Sequence, residues 1–310
     1  MGAREPEHRA GLQALTAVTA LLQRMRNGHP TAGLYEAADL QWWWRTPRST
    51  DHLPQLFWFD DHGRPVAAVI ATDWGDHIAL DPIVMPDATL DWTAHVIEHG
   101  LGHARRSALE PLRLEVDSAD DLLRRVLVDH GFTLGEGGVV ETWLAASSRP
   151  GISPLRAGYR LSRRADTALR PHHMTNRSGP DVEARLRQTP LYRPDLDLVI
   201  HDDGDSVAAY GLFWFDPETG TGLVEPMRTE DAHQRRGLAR HILTTGIDLL
   251  ARAGAQRIKI CYEPDNAASK HLYLSAGFEP TRETIRMTRP TSQADFSTHP
   301  VLPGERERRR

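Results

Sequence analysis

Three things are scarce in this 310-residue chain, and each scarcity excludes something. Cysteine occurs once, at Cys261, so no disulfide can form within the chain. A disulfide scaffold is excluded, and a reducing cytoplasm is the expected home. No apolar run approaches the ~20 residues needed to cross a bilayer, and the polar start Met1 to His8 lacks the apolar stretch of a signal peptide. No membrane partner is expected. Positive charge is not in excess: 37 Lys and Arg face 42 Asp and Glu, for a formal net charge of −5. A general nucleic-acid binder needs a basic surface, so no nucleic-acid partner is expected either. What is present is the composition of a globular protein, 40% hydrophobic and 25% charged, at a length that suits two domains.

The two domains announce themselves as a weak internal repeat. Gly63-Arg64-Pro65-Val66-Ala67-Ala68 reappears as Gly204-Asp205-Ser206-Val207-Ala208-Ala209, each a turn feeding a strand. Leu80-Asp81-Pro82 matches Val224-Glu225-Pro226. The strand-like Leu112 to Val116, leading through a helix to Gly131-Phe132, matches Arg257 to Ile260, leading to Gly277-Phe278. The three pairs keep one order and nearly one separation, as a duplication with small loop insertions would. The expected domains are residues 1–145 and 155–290, joined by a linker of small and turn-forming residues at 146–154. Residues 291–310 lack apolar periodicity and are expected to be a disordered tail.

Each half reads as strands, a helix, a strand, a short helix and a final strand, with a hairpin between Thr50 and Ile70. Leu238, Ile242, Leu243, Ile247, Leu249 and Leu250 form the stripe, with some extra apolar width, of a helix packed on a sheet, and Gly254 stands where its C-terminal cap belongs. That helix opens with Gln234-Arg235-Arg236-Gly237-Leu238-Ala239, directly after a strand. The first amides of a helix have no internal partner, and the helix dipole adds positive charge there. Gly237 allows close backbone approach, and Arg235 and Arg236 add charge-assisted bonds, so the segment suits a pyrophosphate.

This arrangement resembles the coenzyme signature of the GNAT superfamily of N-acetyltransferases, Q/R-x-x-G-x-G/A. A second signature of the family is matched by the segment from Asn266 through Leu272-Tyr273 to Gly277-Phe278. The resemblance is firm over residues 155–290 and faint over 30–145. It implies an α/β (α+β) fold of two tandem GNAT-like domains, each a mixed, mostly antiparallel sheet flanked by helices. It further implies acetyl-CoA as co-substrate, bound by the loop from Gln234 through Arg235, Arg236, Gly237 and Leu238 to Ala239, and by Asn266, whose alternative role is an N-cap. Backbone N–H groups from Met227, Arg228 and Thr229 would hold the pantetheine arm where two parallel strands splay, and Pro226, which cannot donate, is consistent with such a lapse.

Acyl transfer to an amine requires removal of a proton from the amine, stabilisation of the oxyanion and protonation of the departing thiolate. By resemblance Tyr273 is the acid; its alternative is a packing tyrosine. Glu225 is the candidate base if burial raises its pKa, although a strand glutamate equally orients substrate or pairs an arginine. His233 lies nearer the phosphate loop than the chemistry. His172-His173 lacks evident further ligands, so no metal site is expected.

Aligned by the repeat, the first half lacks this equipment. Residues 86–100 contain neither an arginine pair nor a glycine at the helix opening, and Asp87 and Asp91 would repel phosphate. Asp120 and Leu127 stand at the asparagine and tyrosine positions. The first half is therefore expected to keep the fold without the coenzyme. It holds Trp42-Trp43-Trp44, which no strand can bury on one face; they pack between domains or wall the acceptor site, with Arg45 or Arg48 recognising an acidic group. Tyr192 and Arg193 are the expected acceptor contacts. The function expected is transfer of an acetyl group to a primary amine of a small molecule. The alternatives are an acetyltransferase of the mycothiol-synthase kind and a non-catalytic acyl-CoA sensor.

Overall fold

The computed structural model describes residues 5–291. All of the expected tail beyond its first residue lies outside the described residues. In the first half, β1 (Glu7–Arg9) precedes helices α1 (Gly11–Gly28) and α2 (Ala37–Trp43) and the meander β2 (Gln55–Phe59), β3 (Pro65–Asp73) and β4 (Ile78–Val84). Helix α3 (Leu90–Arg106), β5 (Leu112–Asp117), α4 (Asp121–Asp129), β6 (Thr133–Leu134) and β7 (Val140–Ala145) complete it. The second half opens with β8 (Tyr159–Arg163), α5 (Thr175–Ser178) and α6 (Val182–Leu186), followed by β9 (Asp197–Asp202), β10 (Val207–Asp216) and β11 (Thr221–Thr229). It ends with α7 (Leu238–Ala253), β12 (Arg257–Tyr262), α8 (Ala267–Ser275) and β13 (Glu279–Arg289).

The sequence echo is an echo in space. The turns before β3 and β10 close alike: Gly63 N–H donates to Asp60 O and Asp205 N–H to Asp202 O, each at 3.0 Å. The aspartate side chain then accepts a second amide, from Arg64 at 3.0 Å and from Ser206 at 2.9 Å. Each half is mostly antiparallel with one parallel pair, β4 with β5 and β11 with β12, and each carries helices on its faces.

The halves exchange their last strands. β7, the end of the first half, lies antiparallel to β12 from Val140 to Ala145. β13, the end of the second, pairs with β7 over Glu279 to Glu283 and with β5 over Thr284 to Arg289. An eleven-residue strand, long enough at about 3.3 Å per residue to serve two neighbours in succession, joins everything into one sheet. Its order is β1-β2-β3-β4-β5-β13-β7-β12-β11-β10-β9-β8, with β6 on β13. A cut in the linker would thus leave each sheet without a strand.

Three apolar clusters follow. Leu238, Ile242, Leu243, Ile247 and Leu250 of α7 cover the second sheet, and Val96, Ile97 and Leu101 of α3 cover the first. A third cluster joins Leu21 and Leu22 of α1 and Trp42 of α2 to Tyr192, Trp214 and Leu223 of the other half. Charges cross the same seam. Arg26 bonds Glu36 (Nε to Oε2, 2.9 Å), and Lys259 on β12 lies 3.6 Å from Glu36 and 3.1 Å from Glu141 on β7. Arg282 on β13 then pairs with Asp117 at 2.9 Å. Lys259 is 1% exposed, and its carboxylates hold its pKa above the usual lysine value against the opposing effect of burial.

The tryptophan run sits at the end of a helix, not on a strand, so successive side chains leave the axis about 100° apart and each meets a different environment. Trp42 enters the central core, with the Arg45 guanidinium 3.6 Å from its ring centroid. Trp44 donates to Gln188 at 2.8 Å and lies under Arg185. Trp43 faces an interior cavity beside Tyr35 and Trp74. Packing between halves and walling a cavity are thus divided among neighbours. Arg48 is spent on Trp74, 4.0 Å from its ring centroid.

Candidate active site

The site begins where β11 and β12 stop pairing. Their parallel ladder covers Thr221 to Leu223 against Arg257 to Lys259 and then lapses. On its other edge β11 stays with β10, but Gly211 opposes Met227 while Phe213 opposes Val224, so β11 carries an extra residue at Glu225–Pro226. Such a bulge bends the strand, and Pro226 has no N–H to give. Beyond it, Met227 to Thr229 keep β10 on one side and have no ladder on the side facing β12.

The chain then turns through Arg235 (φ 58°) and Gly237 (φ 80°) into α7. Two left-handed residues beside a helix start aim successive amides outward, a conformation that cradles anions. No side chain caps α7, and a Cβ built on Gly237 meets nothing within 4 Å. A cavity of about 390 Å³ opens there. Of the expected coenzyme residues it is lined by Met227, Arg228, Thr229, Gln234, Arg235, Gly237, Leu238, Ala239 and Asn266. Arg236 is the exception: its guanidinium turns away and donates to Tyr159 Oη at 2.6 Å, and the same phenol meets His233 Nδ1 at 3.0 Å. Arg240 and Ser269 join the lining. A basic residue one turn inside α7 was a signal the sequence carried.

Helix α8 aligns Asn266, Ser269 and Tyr273 on one face. Asn266 caps the helix, accepting from Ser269 N at 3.0 Å, while also lining the cavity; the two roles are compatible. Tyr273 is 6% exposed. Burial pushes its pKa up to about 12, against a hydrogen bond with Ser269 that lowers it. The phenol therefore holds its proton at neutral pH.

Beyond Tyr273 lies a second, larger cavity of about 610 Å³ between the two halves. Met227, Asn266, Ser269 and Tyr273 line both. Glu225 projects into it from the bulge. Burial first, and then a hydrogen-bonded neighbour, Asp39, raise its pKa well above the carboxylate range, opposed by Arg45 and Lys259. Asp39 arrives from α2 of the first half, held by the amide of Glu36 at 2.7 Å. Two carboxyl groups in contact in a poorly solvated place resist holding two negative charges, which favours the protonated form of Glu225. Sequence reasoning missed Asp39, since nothing local marks a helix aspartate as facing a strand 186 positions away. Cys261 lines the same wall, but burial raises its thiol pKa, so it is no thiolate nucleophile.

The two expected acceptor contacts lie elsewhere and line neither cavity. Tyr192 is in the central core, its hydroxyl donating to Asp197 at 2.9 Å, and Arg193 pairs with Asp195 on the surface. Asp197 also draws in the histidine pair: His172 Nε2 lies 3.0 Å and His173 Nε2 3.1 Å from its carboxylate oxygens. A third candidate ligand therefore exists that the sequence did not reveal. His172 Nδ1 already accepts the Met174 amide at 3.2 Å, so metal at Nε2 would demand an imidazolate. Donation from Nε2 to Asp197 gives the second nitrogen of His172 its partner.

The first half has the same frame with other furniture. Its parallel ladder lapses after Ile78 and Ala79 against Leu112 and Arg113. Thr89 caps α3 by accepting from Trp92 N at 3.3 Å, and Asp120 caps α4 by accepting from Leu123 N at 2.9 Å. Leu127, at the tyrosine position, is buried in the apolar cluster.

The comparisons with known proteins agree with this geometry. The acetyltransferase (GNAT) family model matches residues 162–278. Mycothiol acetyltransferase of Beutenbergia cavernae is 30% identical over 100 residues, 32% of this chain and 33% of that one. Its counterpart in Clavibacter michiganensis is 29% identical over 109 residues, 35% of each. The chain thus spans about a third of the length of these curated relatives in the matched region. Among solved structures, a tandem GNAT protein of the clavulanic acid biosynthesis pathway superposes with a TM-score of 0.67 at 15% identity, over 94% of this chain and 99% of that one. A GCN5-related N-acetyltransferase from Sphaerobacter thermophilus gives 0.58 at 14%, over 92% and 96%. Residues 162–278 thus match the acetyltransferase (GNAT) family model, and the two halves together have the fold of a tandem GNAT protein.

Proposed function

We propose that the second half transfers an acetyl group from acetyl-CoA to a primary amine of a small molecule. One observation carries the reading: a cavity at an uncapped, left-handed helix entry meets an interior cavity holding a paired carboxyl, and Tyr273 stands on the wall they share. The coenzyme supplies the activated thioester. Arg235, Gly237 and the first amides of α7 hold its pyrophosphate, and the unpaired edge of β11 receives the pantetheine arm and polarises the carbonyl. Glu225, with Asp39, takes a proton from the acceptor ammonium so that its lone pair can attack. Tyr273, protonated because its pKa is about 12, gives a proton to the sulfur as the C–S bond breaks, and the second proton, shed by the nitrogen once its bond to the acyl carbon has formed, restores the phenol. The first half has capped its own helix entries and is read as not binding the coenzyme.

The name of the two curated relatives supports a second reading of the acceptor, a mycothiol-type amine. The first half, which contributes Tyr35, Asp39, Asp81 and Glu115 to the cavity wall, leaves acceptor choice to this chain's own residues. A calorimetric titration of acetyl-CoA tests the core of the proposal. One site per chain, followed by amine-dependent thiol release, is expected. Two sites would overturn the assignment of the first half, and binding without release by any amine would make the chain a sensor.

A further inference from the structure

The interior cavity has a side arm that the proposed chemistry leaves unused. It occupies about 230 Å³ between β4 and β5 of the first half, where the frame of the second half would put a coenzyme arm. Asp81 lines both the arm and the main cavity. It stands at the position on β4 that Glu225 holds on β11. Asp81 is 3% exposed. Its Oδ1 accepts the Tyr35 hydroxyl at 2.7 Å, and its Oδ2 is buried without a hydrogen-bond partner. A buried carboxylate oxygen left unpaired is costly, and its environment gives it no cation. Glu115 is engaged by Arg286 at 3.3 Å, and Asp117 by Arg282 at 2.9 Å. The wall of the arm thus sets Asp81, Glu115, Asp117 and Asp120 against Arg282 alone. Phosphate is repelled there and a cation is favoured.

We propose that the first half's splayed-strand cleft, emptied of coenzyme function, is the distal part of the acceptor site, and that Asp81 Oδ2 receives a second ammonium carried by the acceptor. The inference rests on the acetyltransferase reading. The acceptor is then a diamine: one nitrogen reacts at Glu225 and the other is held at Asp81. Donor and acceptor enter from the equivalent clefts of opposite halves.

The test compares 1,3-diaminopropane, putrescine and cadaverine with the monoamines and amino alcohols of equal chain length, in thiol release by the full chain. The best diamine should exceed its matched monoamine and amino alcohol at least about tenfold in kcat/KM, as loss of one charge-assisted bond implies. In Asp81→Asn that ratio should fall toward one, mainly through KM. An amino alcohol as good as the diamine, or a ratio unmoved in Asp81→Asn, would overturn the proposal. If no amine releases thiol, the acetyltransferase reading fails by itself. Calorimetric binding of putrescine in the presence of coenzyme A, lost in Asp81→Asn, would still uphold the subsite, and no binding would refute it. Coenzyme titration of each variant reports that it has folded.

Discussion

Gly237 offers the sharpest separation of structural from functional effects. Its φ of 80° lies where an L side chain is strained, at a cost of about 1–2 kcal/mol for alanine. Nothing stands within 4 Å of the added methyl, so there is no clash to add. Gly237→Ala should therefore lower Tm by no more than about 2–4 °C per kcal/mol. Gly237 lines the cavity proposed for the coenzyme, so acetyl-CoA affinity should fall far more than stability, about tenfold or beyond. Gly237→Glu adds a like charge beside the pyrophosphate. At about 4 Å each phosphate charge is repelled by roughly 1 kcal/mol in water and 4 kcal/mol at an intermediate dielectric, which puts binding below calorimetric detection. Thermal unfolding and calorimetry on the same preparations decide the matter. An alanine variant that loses Tm but binds acetyl-CoA with unchanged Kd would refute the assignment of this loop to phosphate.

Tyr273→Phe should spare coenzyme affinity and lower kcat by about 10²- to 10⁴-fold; a sensor would have no turnover to lose. The ascending limb of kcat/KM against pH should lie above the range of an ordinary carboxylate, because the ionised base forms only above the raised pKa of Glu225; Asp39→Asn removes a neighbouring charge and should move the limb to lower pH. Asp81 titrates at about 7 when folded, above its ordinary 3.8. Between those values the folded chain binds more protons than the unfolded one, so stability falls as pH rises, by up to about 1.4 kcal/mol per pH unit, and Asp81→Asn should flatten that slope in denaturation at pH 4–7. Lys259→Met leaves Glu36 and Glu141 without their shared cation and should cost about 3–5 kcal/mol by chemical denaturation.

What the sequence disclosed was local. The stripe from Leu238 to Leu250 is a buried helix face, and the loop before it is a left-handed helix entry with no side-chain cap. The repeat held because each matched block is a turn or strand whose form depends on near neighbours. What escaped depended on distance. Asp39 and Asp81 carry no mark of their meeting in one cavity, because the contact is made by the packing of halves. Arg236 looked equivalent to Arg235, yet Arg235 lines the cavity while Arg236 is bonded to Tyr159. Tyr192 and Arg193 were placed by family analogy, yet they line neither cavity, and the wall of the interior cavity is supplied in part by the first half. Strand exchange was invisible because neither β7 nor β13 encodes which sheet it will join.

That exchange bears on how the chain is made. When the first half has left the ribosome, β5 still lacks its neighbour, which lies more than 160 residues further on in β13. Its exposed edge must wait through synthesis of the whole second half, and β7 must wait for β12. The order of translation and the order of folding therefore diverge, and the nascent chain spends that interval with an open sheet edge of the kind that recruits other strands. Two halves that echo each other are thereby tied into one obligate unit. Neither half can be removed without leaving the other's sheet short of a strand.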